Sequence, residues 1–306
     1  MKLLLTGSSG FIGQHLTPVL GKNFNVYHLK SDLTQHKMVA DEVLSIQPDI
    51  IVHLAARTEV EQSFYEQITF SEINYVGTVN LIETASKIKN LKNFVFASTM
   101  EVYGWQPISD EVEKNIIPKF FEAFDENTRP NPNAPYAVAK YGCEKYLEYA
   151  HRCLGLPFTA LRQTNCYGRK DNDFFVTEQI ISQMIKNPNE INLGYGEPYR
   201  NFIYIDDMMS VWQTVINEYH KCNDGRIFTI GPDHPIKIKD YANLIASKLD
   251  WKGKVNWNTK PARPGEIYWL NSNHDLLTEI TGWTPKVSLL DGLDQTIVTW
   301  KQKLES

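Results

Sequence analysis

The chain has few cysteines, and their spacing excludes several kinds of protein. It contains four in 306 residues, and no two of them form the Cys-x-x-Cys pair that is typical of zinc and redox sites. We therefore predict reduced, buried thiols, with neither a disulfide framework nor a metal site. These thiols belong to Cys143, Cys153, Cys166 and Cys222.

The chain also lacks a long hydrophobic run and an excess of basic residues. Its first apolar segment, Leu3–Leu5, ends just before the first glycine and is too short for a signal peptide or a membrane span. A net charge of −5 makes nucleic acids and acidic membranes unfavourable partners. We therefore expect a cytoplasmic, globular protein with no membrane and no nucleic-acid partner.

A glycine-rich turn follows that apolar segment. Residues 6–13 read TGSSGFIG, and residues 14–20 continue with a helical pattern. Strand, glycine turn and helix together are typical of a dinucleotide site. Gly7 permits the tight turn, Gly10 lets the backbone approach a pyrophosphate, and Gly13 allows close helix packing. An ordinary turn between a strand and a helix is the competing interpretation.

Strand-like and helix-like segments alternate along the first half of the chain, which predicts an α/β fold with a Rossmann-type, doubly wound parallel sheet. The predicted strands are residues 3–5, 25–29, 50–54, 93–97, 158–161 and 226–230. The predicted helices are residues 14–20, 37–46, a segment that begins at residue 60, and residues 70–87, 137–153, 178–186, 206–219, 238–248 and 289–303. The stretch 104–135 is long for a loop, so we expect it to be functional or partly structured.

The pattern changes near residue 165. We predict a dinucleotide-binding domain over residues 1–164 and a smaller α/β substrate lobe over residues 165–306. We expect some segments of the second part to pack back on the first domain. The cleft between the two parts is the expected ligand site.

Tyr136 and Lys140 lie one helical turn apart on the same face of a predicted helix. A free phenol has a pKa near 10, and we expect the ammonium of Lys140 to lower the pKa of Tyr136. Such a pair moves a proton to or from a hydroxyl while a nicotinamide exchanges the hydride. A solvated helix face is the competing interpretation, but the glycine turn favours the catalytic one.

Together these motifs resemble the extended short-chain dehydrogenase/reductase family, which includes nucleotide-sugar epimerases, dehydratases, decarboxylases and keto-reductases. The resemblance extends over almost the whole chain. In chain order, it is carried by TGSSGFIG (6–13), HLAA (53–56), NYVGT (74–78), ASTMEVYG (97–104), YAVAK (136–140), LRQTNCYG (161–168), RNFIYIDD (200–207), RPGE (263–266) and GWTPK (282–286).

The resemblance implies roles for individual residues. Thr99 would hydrogen-bond the reacting sugar oxygen, Tyr136 would be the general acid/base, and Lys140 would tune it and hold the nicotinamide ribose. The implied cofactor-binding residues are Gly7, Ser9, Gly10, Phe11, Ile12, Gly13, Lys30, Asp32, Leu33, Leu54, Ala55, Ala56, Arg57, Asn74, Ala97, Ser98, Tyr136, Lys140 and Gln163.

The resemblance also implies a nucleoside-diphosphate sugar as substrate. Its implied binding residues are Thr99, Met100, Glu101, Asn165, Arg200 and Arg263. Asn165 would contact the phosphates or the sugar. The planar forks of Arg200 and Arg263 would clamp the diphosphate, although two surface charges are the competing interpretation.

Two departures from the family pattern affect cofactor and reaction. The second strand usually ends in an acid that binds the ribose of NAD. Here Lys30 follows it, which slightly favours NADP, whereas Asp32 would serve NAD after a small register shift; Lys30 pointing into water is a third interpretation. The other departure is Met100, where the dehydratases and decarboxylases have Asp or Ser before the glutamate. Glu101 is either a second acid/base or a structural carboxylate.

The resemblance therefore implies an NAD(P)-dependent enzyme that transfers a hydride at C4 of a nucleotide sugar, with epimerisation favoured. The alternative is an NADPH-dependent 4-keto-sugar reductase. A 4,6-dehydratase, a decarboxylase and a non-catalytic nucleotide sensor are less favoured, and the intact Thr99, Tyr136 and Lys140 argue against the sensor. The family also implies a homodimer through a helix bundle that includes the Tyr136 helix.

Overall fold

The structure is a computed structural model that describes residues 1–104 and 122–305. Part of the predicted loop at 104–135 therefore lies outside the described residues. The described strands are β1 (Lys2–Thr6), β2 (Asn25–His28), β3 (Ile50–His53), β4 (Asn93–Thr99), β5 (Phe158–Gln163), β6 (Asn165–Tyr167), β7 (Glu190–Asn192), β8 (Tyr199–Arg200), β9 (Phe202–Tyr204), β10 (Asp224–Ile230), β11 (Ile236–Lys237), β12 (Lys254–Asn256) and β13 (Trp269–Leu270).

The described helices cover both faces of the central sheet and build a second core. They are α1 (Phe11–Leu20), α2 (His36–Ile46), α3 (Val60–Ser63), α4 (Gln67–Phe70), α5 (Gly77–Ala85), α6 (Pro135–Leu154), α7 (Val176–Lys186), α8 (Ile205–Asn217), α9 (Tyr219–Cys222), α10 (Ile238–Leu249), α11 (Asp275–Thr281) and α12 (Leu289–Glu305). A π-helical turn precedes α5, and a 3-10 turn follows β4.

The central sheet has six strands in the order β10-β5-β4-β3-β1-β2, and each neighbouring pair is parallel. This confirms the predicted α/β fold with a Rossmann-type parallel sheet. From β1 the chain moves first to one side of the sheet and then to the other. In such sheets the carboxyl ends of the strands open a crevice at this switch point.

Alternating side chains on each strand build two cores, one on each face of the sheet. On β1, Leu3 and Leu5 pack with α1 and α8, whereas Leu4 packs with α2, α5 and α6. The same alternation holds on β3, where Ile50 and Val52 face one core and Ile51 the other. Strands buried on both faces explain why these segments read as continuous apolar runs.

Some element boundaries differ from the predicted ones. β4 and β5 continue to Thr99 and Gln163, which still pair in register; their polar side chains concealed this extension. The first helix begins at Phe11, because Gly10 has the extended backbone of a helix cap. The helix predicted over 70–87 is interrupted by the π-helical turn at Ser71–Val76 and ends at Ala85.

Residues after 164 divide between the sheet and a separate core. β10 pairs with β5 at the sheet edge, and α8 packs on the α1 face. The separate core forms around α7, α10 and α12, where Ile181, Tyr241 and Trp300 are buried. A division of the chain at residue 164 remains a proposal.

The thiols are not all buried: that prediction is correct for Cys143 and Cys222, wrong for Cys153 and only partly met by Cys166. Cys153 is exposed, since it lies in the last turn of α6, next to the end of the helix at Leu154. Cys143 and Cys222 are buried, and Cys166 is partly exposed. Within the described ranges, no helix is long and apolar enough to span a bilayer, and no cluster of His, Cys, Asp or Glu suits a metal ion.

The glycine turn between β1 and α1 is packed too tightly for side chains. Gly7 has a φ of 71°, and an added Cβ would lie 2.6 Å from the backbone nitrogen of Ala55, after β3. A Cβ on Gly13 would lie 2.2 Å from the carbonyl oxygen of Gly7. The absence of a side chain at both positions is therefore what lets α1 start directly against the sheet.

We expect Gly13→Ala to lower the free energy of unfolding by about 1–3 kcal/mol, because the methyl group has to displace backbone atoms. Gly21→Ala is the matched control. Gly21 has right-handed helical angles, and the nearest atom to an added Cβ is 3.5 Å away. That variant should be neutral or more stable by up to about 1 kcal/mol. Urea unfolding of both proteins tests this, and equal effects would contradict it.

Candidate active site

A cavity of about 1460 Å³ lies at the carboxyl ends of β1, β3, β4 and β5, and residues of the separate core form its other wall. It brings most of the predicted site residues together, although their individual roles remain predictions. Those that line it are Gly7, Ser9, Gly10, Phe11, Ile12, Gly13, Leu54, Ala55, Ala56, Ala97, Ser98, Thr99, Met100, Glu101, Tyr136, Lys140, Gln163, Asn165, Arg200 and Arg263.

The other predicted residues do not line this cavity: Lys30, Asp32, Leu33, Arg57 and Asn74. Asn74 is buried, and its side-chain amide holds the backbone of Arg57. Its Oδ1 accepts from Arg57 N at 2.8 Å, and its Nδ2 donates to Arg57 O at 2.8 Å. Asn74 therefore positions the loop that follows β3.

A carboxylate that was not predicted as a site residue lies against the chain just after β2. Glu42, on α2, accepts hydrogen bonds from the backbone N–H groups of Lys30 and Ser31 at 2.9 and 2.8 Å. Burial acts to raise the pKa of Glu42, but the hydrogen bonds from Ser31 and Lys30 outweigh it and lower the pKa. Lys30 itself is exposed, and the carboxylate of Asp32 accepts from Thr34 N and Oγ1.

A buried hydrogen-bond chain links the ends of β1 and β3 to α5. His53 lies between Thr6 and Thr78, at 2.7 and 2.9 Å from their hydroxyl oxygens. Thr78 Oγ1 donates to Asn74 O, so it accepts from His53 Nε2, and the Thr6 hydroxyl donates to Nδ1. Burial first, and then the charge of Lys140, lowers the pKa of His53 to about 3. The imidazole is therefore neutral and structural.

The start of α1 offers hydrogen-bond donors to the cavity. Among the described residues, the backbone N–H groups of Phe11, Ile12 and Gly13 have no backbone acceptor. All three residues line the cavity, and a helix N-terminus carries a partial positive charge. These donors fit the diphosphate group of a dinucleotide.

Lys140 is buried with its ammonium fixed at the end of β4. Nζ donates to Ala97 O at 2.7 Å and lies 4.7 Å from the ring centroid of Phe96. Burial lowers the pKa of Lys140 to about 8. The ammonium is thus held rigidly at the cavity wall and gives up its proton more easily than an exposed lysine.

Tyr136 does not show the lowered pKa that the sequence predicted. Burial raises the pKa of Tyr136, the negative charges of Glu101 and Glu59 raise it further, and a hydrogen bond with Thr99 opposes them. The prediction assigned the dominant influence to Lys140, whose ammonium instead contacts Ala97 O and the Phe96 ring. The phenol is therefore protonated at neutral pH in the free protein.

A buried ion pair anchors α6, the helix that carries Tyr136 and Lys140. The carboxylate of Glu144, on α6, accepts from Arg162 Nε and Nη2 at 3.0 and 2.8 Å. It also accepts from Ser98 Oγ at 2.5 Å. Arg162 Nη1 donates to the hydroxyl of Tyr103, which donates to the carbonyl of Asp125. The network joins α6 to the ends of β4 and β5.

Thr99 and Glu101 are held by the 3-10 turn at the end of β4. Thr99 Oγ1 accepts from Glu101 N at 3.2 Å and so caps the turn. Glu101 is buried, and its charge raises the pKa of Tyr136. Met100 is also buried, with Sδ 2.9 Å from Thr164 Oγ1. At this position the cavity wall therefore presents a thioether, which has no acidic proton.

The two predicted phosphate arginines converge on one carboxylate. Glu266 Oε1 accepts from Arg200 Nη2 at 3.0 Å and from Arg263 Nη2 at 2.9 Å. Arg200 is only 6% exposed, so it is not a surface charge. Although burial acts to raise the pKa of Glu266, the two arginines lower it. Glu266 belongs to the RPGE motif but was not predicted as a site residue.

The separate core contributes cavity residues that no motif predicted. These residues are Asn192, Leu193, Tyr195, Trp257, Thr259 and Lys260. Two acids at the start of α3, Glu59 and Glu61, also line the cavity. Aromatic side chains in polar loops are a general signal of ligand contact. Tyr195 and Trp257 carried that signal, but their convergence depends on tertiary packing.

The parallel sheet, the glycine turn and the cavity with Thr99, Tyr136 and Lys140 define a Rossmann-type enzyme of the extended short-chain dehydrogenase/reductase class. The chain belongs to the NAD dependent epimerase/dehydratase family, whose sequence profile matches residues 3–231. This confirms the resemblance stated for the sequence.

The chain is similar to family members with different reactions. It is 27% identical to a dTDP-D-glucose 4,6-dehydratase of Dictyostelium discoideum, over 98% of this chain and 81% of that protein. It is also 27% identical to a putative UDP-glucose 4-epimerase of Methanocaldococcus jannaschii, over 97% of each. The structure of a Thermotoga maritima UDP-glucose 4-epimerase with UDP-glucose matches with a TM-score of 0.86 and 25% identity, over 99% of this chain and 100% of that one. Membership in the family therefore leaves the reaction open.

Burial of Lys140 should make stability depend on pH in alkaline solution. Its pKa is about 8 in the folded chain, against an ordinary 10.5. Between these values the unfolded chain binds more protons, so the stability contributed by this site rises with pH. From pH 7 to pH 10 we expect wild type to gain about 2 kcal/mol in unfolding free energy relative to Lys140→Met.

Urea unfolding of both proteins at the two pH values measures this gain. The matched control is Lys145→Met, on the exposed side of the same helix, where the side chain is 48% exposed. Because Lys145→Met keeps Lys140, wild type should show no such gain relative to this variant. A difference between wild type and Lys140→Met that does not change with pH would contradict the assignment.

Proposed function

We propose that this protein transfers a hydride at C4 of a nucleoside-diphosphate sugar, with epimerisation as the favoured reaction. The observation that carries the proposal is the meeting of Thr99, Tyr136 and Lys140 in one cavity with the glycine turn. A bound nicotinamide would accept and return the hydride. The residues described here would hold the sugar oxygen and move its proton.

The proton is assigned to Tyr136, whose phenol would lie beside the oxygen on C4. In the oxidation half of an epimerisation, a Tyr136 phenolate, formed by loss of the phenol proton to water, would take the proton of the C4 hydroxyl while the hydride leaves C4. In the reduction half the phenol would return that proton to the C4 oxygen. The raised pKa of Tyr136 keeps the free protein in the protonated state that the second half uses. Thr99 would hydrogen-bond the same oxygen and hold it in line. Lys140, fixed by Ala97 O, would hold the ribose of the cofactor with its remaining N–H groups.

The proposed substrate follows from the two arginines in the cavity wall formed by residues after 164. Arg200 and Arg263 lie side by side on Glu266, and Arg263 is partly exposed to the cavity. A diphosphate would bind at these guanidinium groups in competition with the carboxylate. The names of the similar proteins, which act on UDP-glucose and dTDP-glucose, support a substrate of this kind.

For the cofactor we propose a nicotinamide dinucleotide, with NADP slightly favoured over NAD. The lysine at the end of β2 supports NADP, since Lys30 is exposed and free to approach a 2′-phosphate. Glu42 and Asp32 at the same strand end oppose it, because two carboxylates would repel that phosphate. The preference thus depends on whether the cation or the carboxylates lie nearer to the ribose.

A 4-keto-sugar reductase is the second candidate, and one observation favours it. Reduction of a ketone needs a protonated acid, and burial keeps Tyr136 in that state.

The nucleotide that copurifies with the protein distinguishes the epimerase from the reductase. An epimerase regenerates its cofactor in every cycle and retains it, so tightly held NAD would support epimerisation. Easily removed NADP would support the reductase.

We also propose a cytoplasmic homodimer that uses α6. This helix exposes Val138, and Tyr149 is 40% exposed. Beside it, α4 exposes Ile68 at 75%, and Tyr65 and Val76 nearby are also exposed. Exposed apolar side chains that cluster on neighbouring helices are typical of a protein interface, and a second copy of the chain would cover them.

Replacement of Tyr136 by Phe tests the proposed acid/base. Cofactor binding should survive, because only one hydroxyl is removed, whereas turnover should fall about a hundredfold or more. Steady-state rates with candidate nucleotide sugars, in the presence of NAD or NADP, measure the effect. The control is Tyr149→Phe, at an exposed tyrosine of the same helix, which should keep its rate. Near-normal turnover of Tyr136→Phe would remove this residue from the mechanism.

We further expect no useful 4,6-dehydratase activity. Elimination of water across C5 and C6 needs a base for the C5 proton and an acid for the departing hydroxyl. Glu101 can be the base, but Met100 occupies the neighbouring position and has no proton to give. Incubation with UDP-, GDP-, dTDP- and CDP-hexoses should yield no methyl proton signal of a 6-deoxy product. Rapid appearance of that signal would show that another group supplies the acid.

A further inference from the structure

Arg169 connects the two walls of the cavity. It follows β6 and lies between two rings, with its guanidinium carbon 4.3 Å from the ring centroid of Phe11 and 3.7 Å from that of Phe175. Phe11 is the first residue of α1, and Phe175 is the residue before α7. The side chain thus reaches from the separate core to the glycine turn.

The position of Arg169 is fixed from behind by a buried carboxylate. Glu178 Oε1 accepts from the backbone N–H groups of Gly168 and Arg169, both at 2.9 Å. On the side chain, Nη1 donates to Cys166 O at 2.6 Å and lies 3.6 Å from Glu178 Oε1. Within the part of the chain that the structure describes, Nε and Nη2 have no acceptor.

Arg169, which carries these two donors without an acceptor, lines the same cavity as the N–H groups at the start of α1. Arg169, Phe11, Ile12 and Gly13 all line it. A planar guanidinium that stacks between aromatic rings keeps its edge free for planar or tetrahedral anions. Because the rings and the backbone bonds of Glu178 already restrict it, little side-chain entropy remains to be lost on binding.

We propose that Arg169 is a further binding residue for the diphosphate of the dinucleotide, which it would hold from the side opposite the glycine turn. The inference rests on the proposed nicotinamide cofactor. The diphosphate of a nucleotide sugar is the other source of the same chemistry. The dinucleotide is favoured because Arg169 contacts Phe11 at the glycine turn, whereas Arg200 and Arg263 lie on Glu266.

This arrangement makes cofactor binding depend on both parts of the chain. The N–H groups of α1 belong to the sheet domain, and Arg169 belongs to the segment that leads into the separate core. A dinucleotide held from both sides would have to break its contacts with both parts before it leaves. Retention of the cofactor, which an epimerase requires, would therefore be set in part by this residue.

The test compares Arg169→Gln and Arg169→Lys with wild type. Glutamine keeps a planar group between the rings without the charge, and lysine keeps the charge without the fork. The control is Arg152→Gln, since the side chain of Arg152 is 67% exposed on α6. The probes are NADH, NADPH, ADP-ribose and UDP, titrated by calorimetry or by fluorescence. Thermal unfolding establishes that each variant is folded.

We expect Arg169→Gln to weaken binding of the dinucleotides and of ADP-ribose by about tenfold or more, the usual scale for a charge-assisted contact with phosphate. The dinucleotide affinity of Arg169→Lys should lie between those of wild type and Arg169→Gln. The affinity of each variant for UDP should change less than about twofold. Loss of UDP affinity with unchanged dinucleotide affinity would overturn the proposal, as would no change for either. If Arg169→Gln fails to fold, a wild-type dinucleotide affinity of Arg169→Lys overturns it. A wild-type protein that binds no dinucleotide would refute the proposed function itself.

Discussion

The buried ion pair between Glu144 and Arg162 is the interaction on which the candidate site depends. It ties α6, with Tyr136 and Lys140, to the ends of the strands that carry Thr99 and Gln163. Removal of one partner from such a pair typically costs about 3–5 kcal/mol, because the other charge remains buried. The position of α6 against the strand ends is thus set by this ion pair together with the hydrogen bonds from Ser98 to Glu144 and from Lys140 to Ala97 O.

The sequence predicted well what depends on local pattern. Continuous apolar runs identified the central strands, and the glycines at positions 7 and 13 identified a turn in which a side chain does not fit. The spacing of Tyr136 and Lys140 placed both on one helix face, and both line the cavity. These features are encoded within a few consecutive residues, so neighbouring positions alone carry the information.

What the sequence did not predict depends on partners far away in the chain. The pKa of Tyr136 is set by burial and by Glu101 and Glu59 rather than by its helix neighbour. Arg200 meets Glu266 only because β8 and a later loop come together. Glu42 reaches the end of β2 from the following helix. In each case a charge and its partner are brought together by the fold, and no spacing rule describes the pair.

The exposed thiol at the end of α6 has a practical consequence. Cys153 is exposed, whereas Cys143 and Cys222 are buried and Cys166 is only partly exposed, so a bulky maleimide dye should react there first. The dye would sit on the same continuous helix as Tyr136, about 25 Å along its axis at the usual rise per residue. The label would lie far from the cavity but one helical turn from Tyr149, so its rate of reaction would also report whether a second copy covers α6.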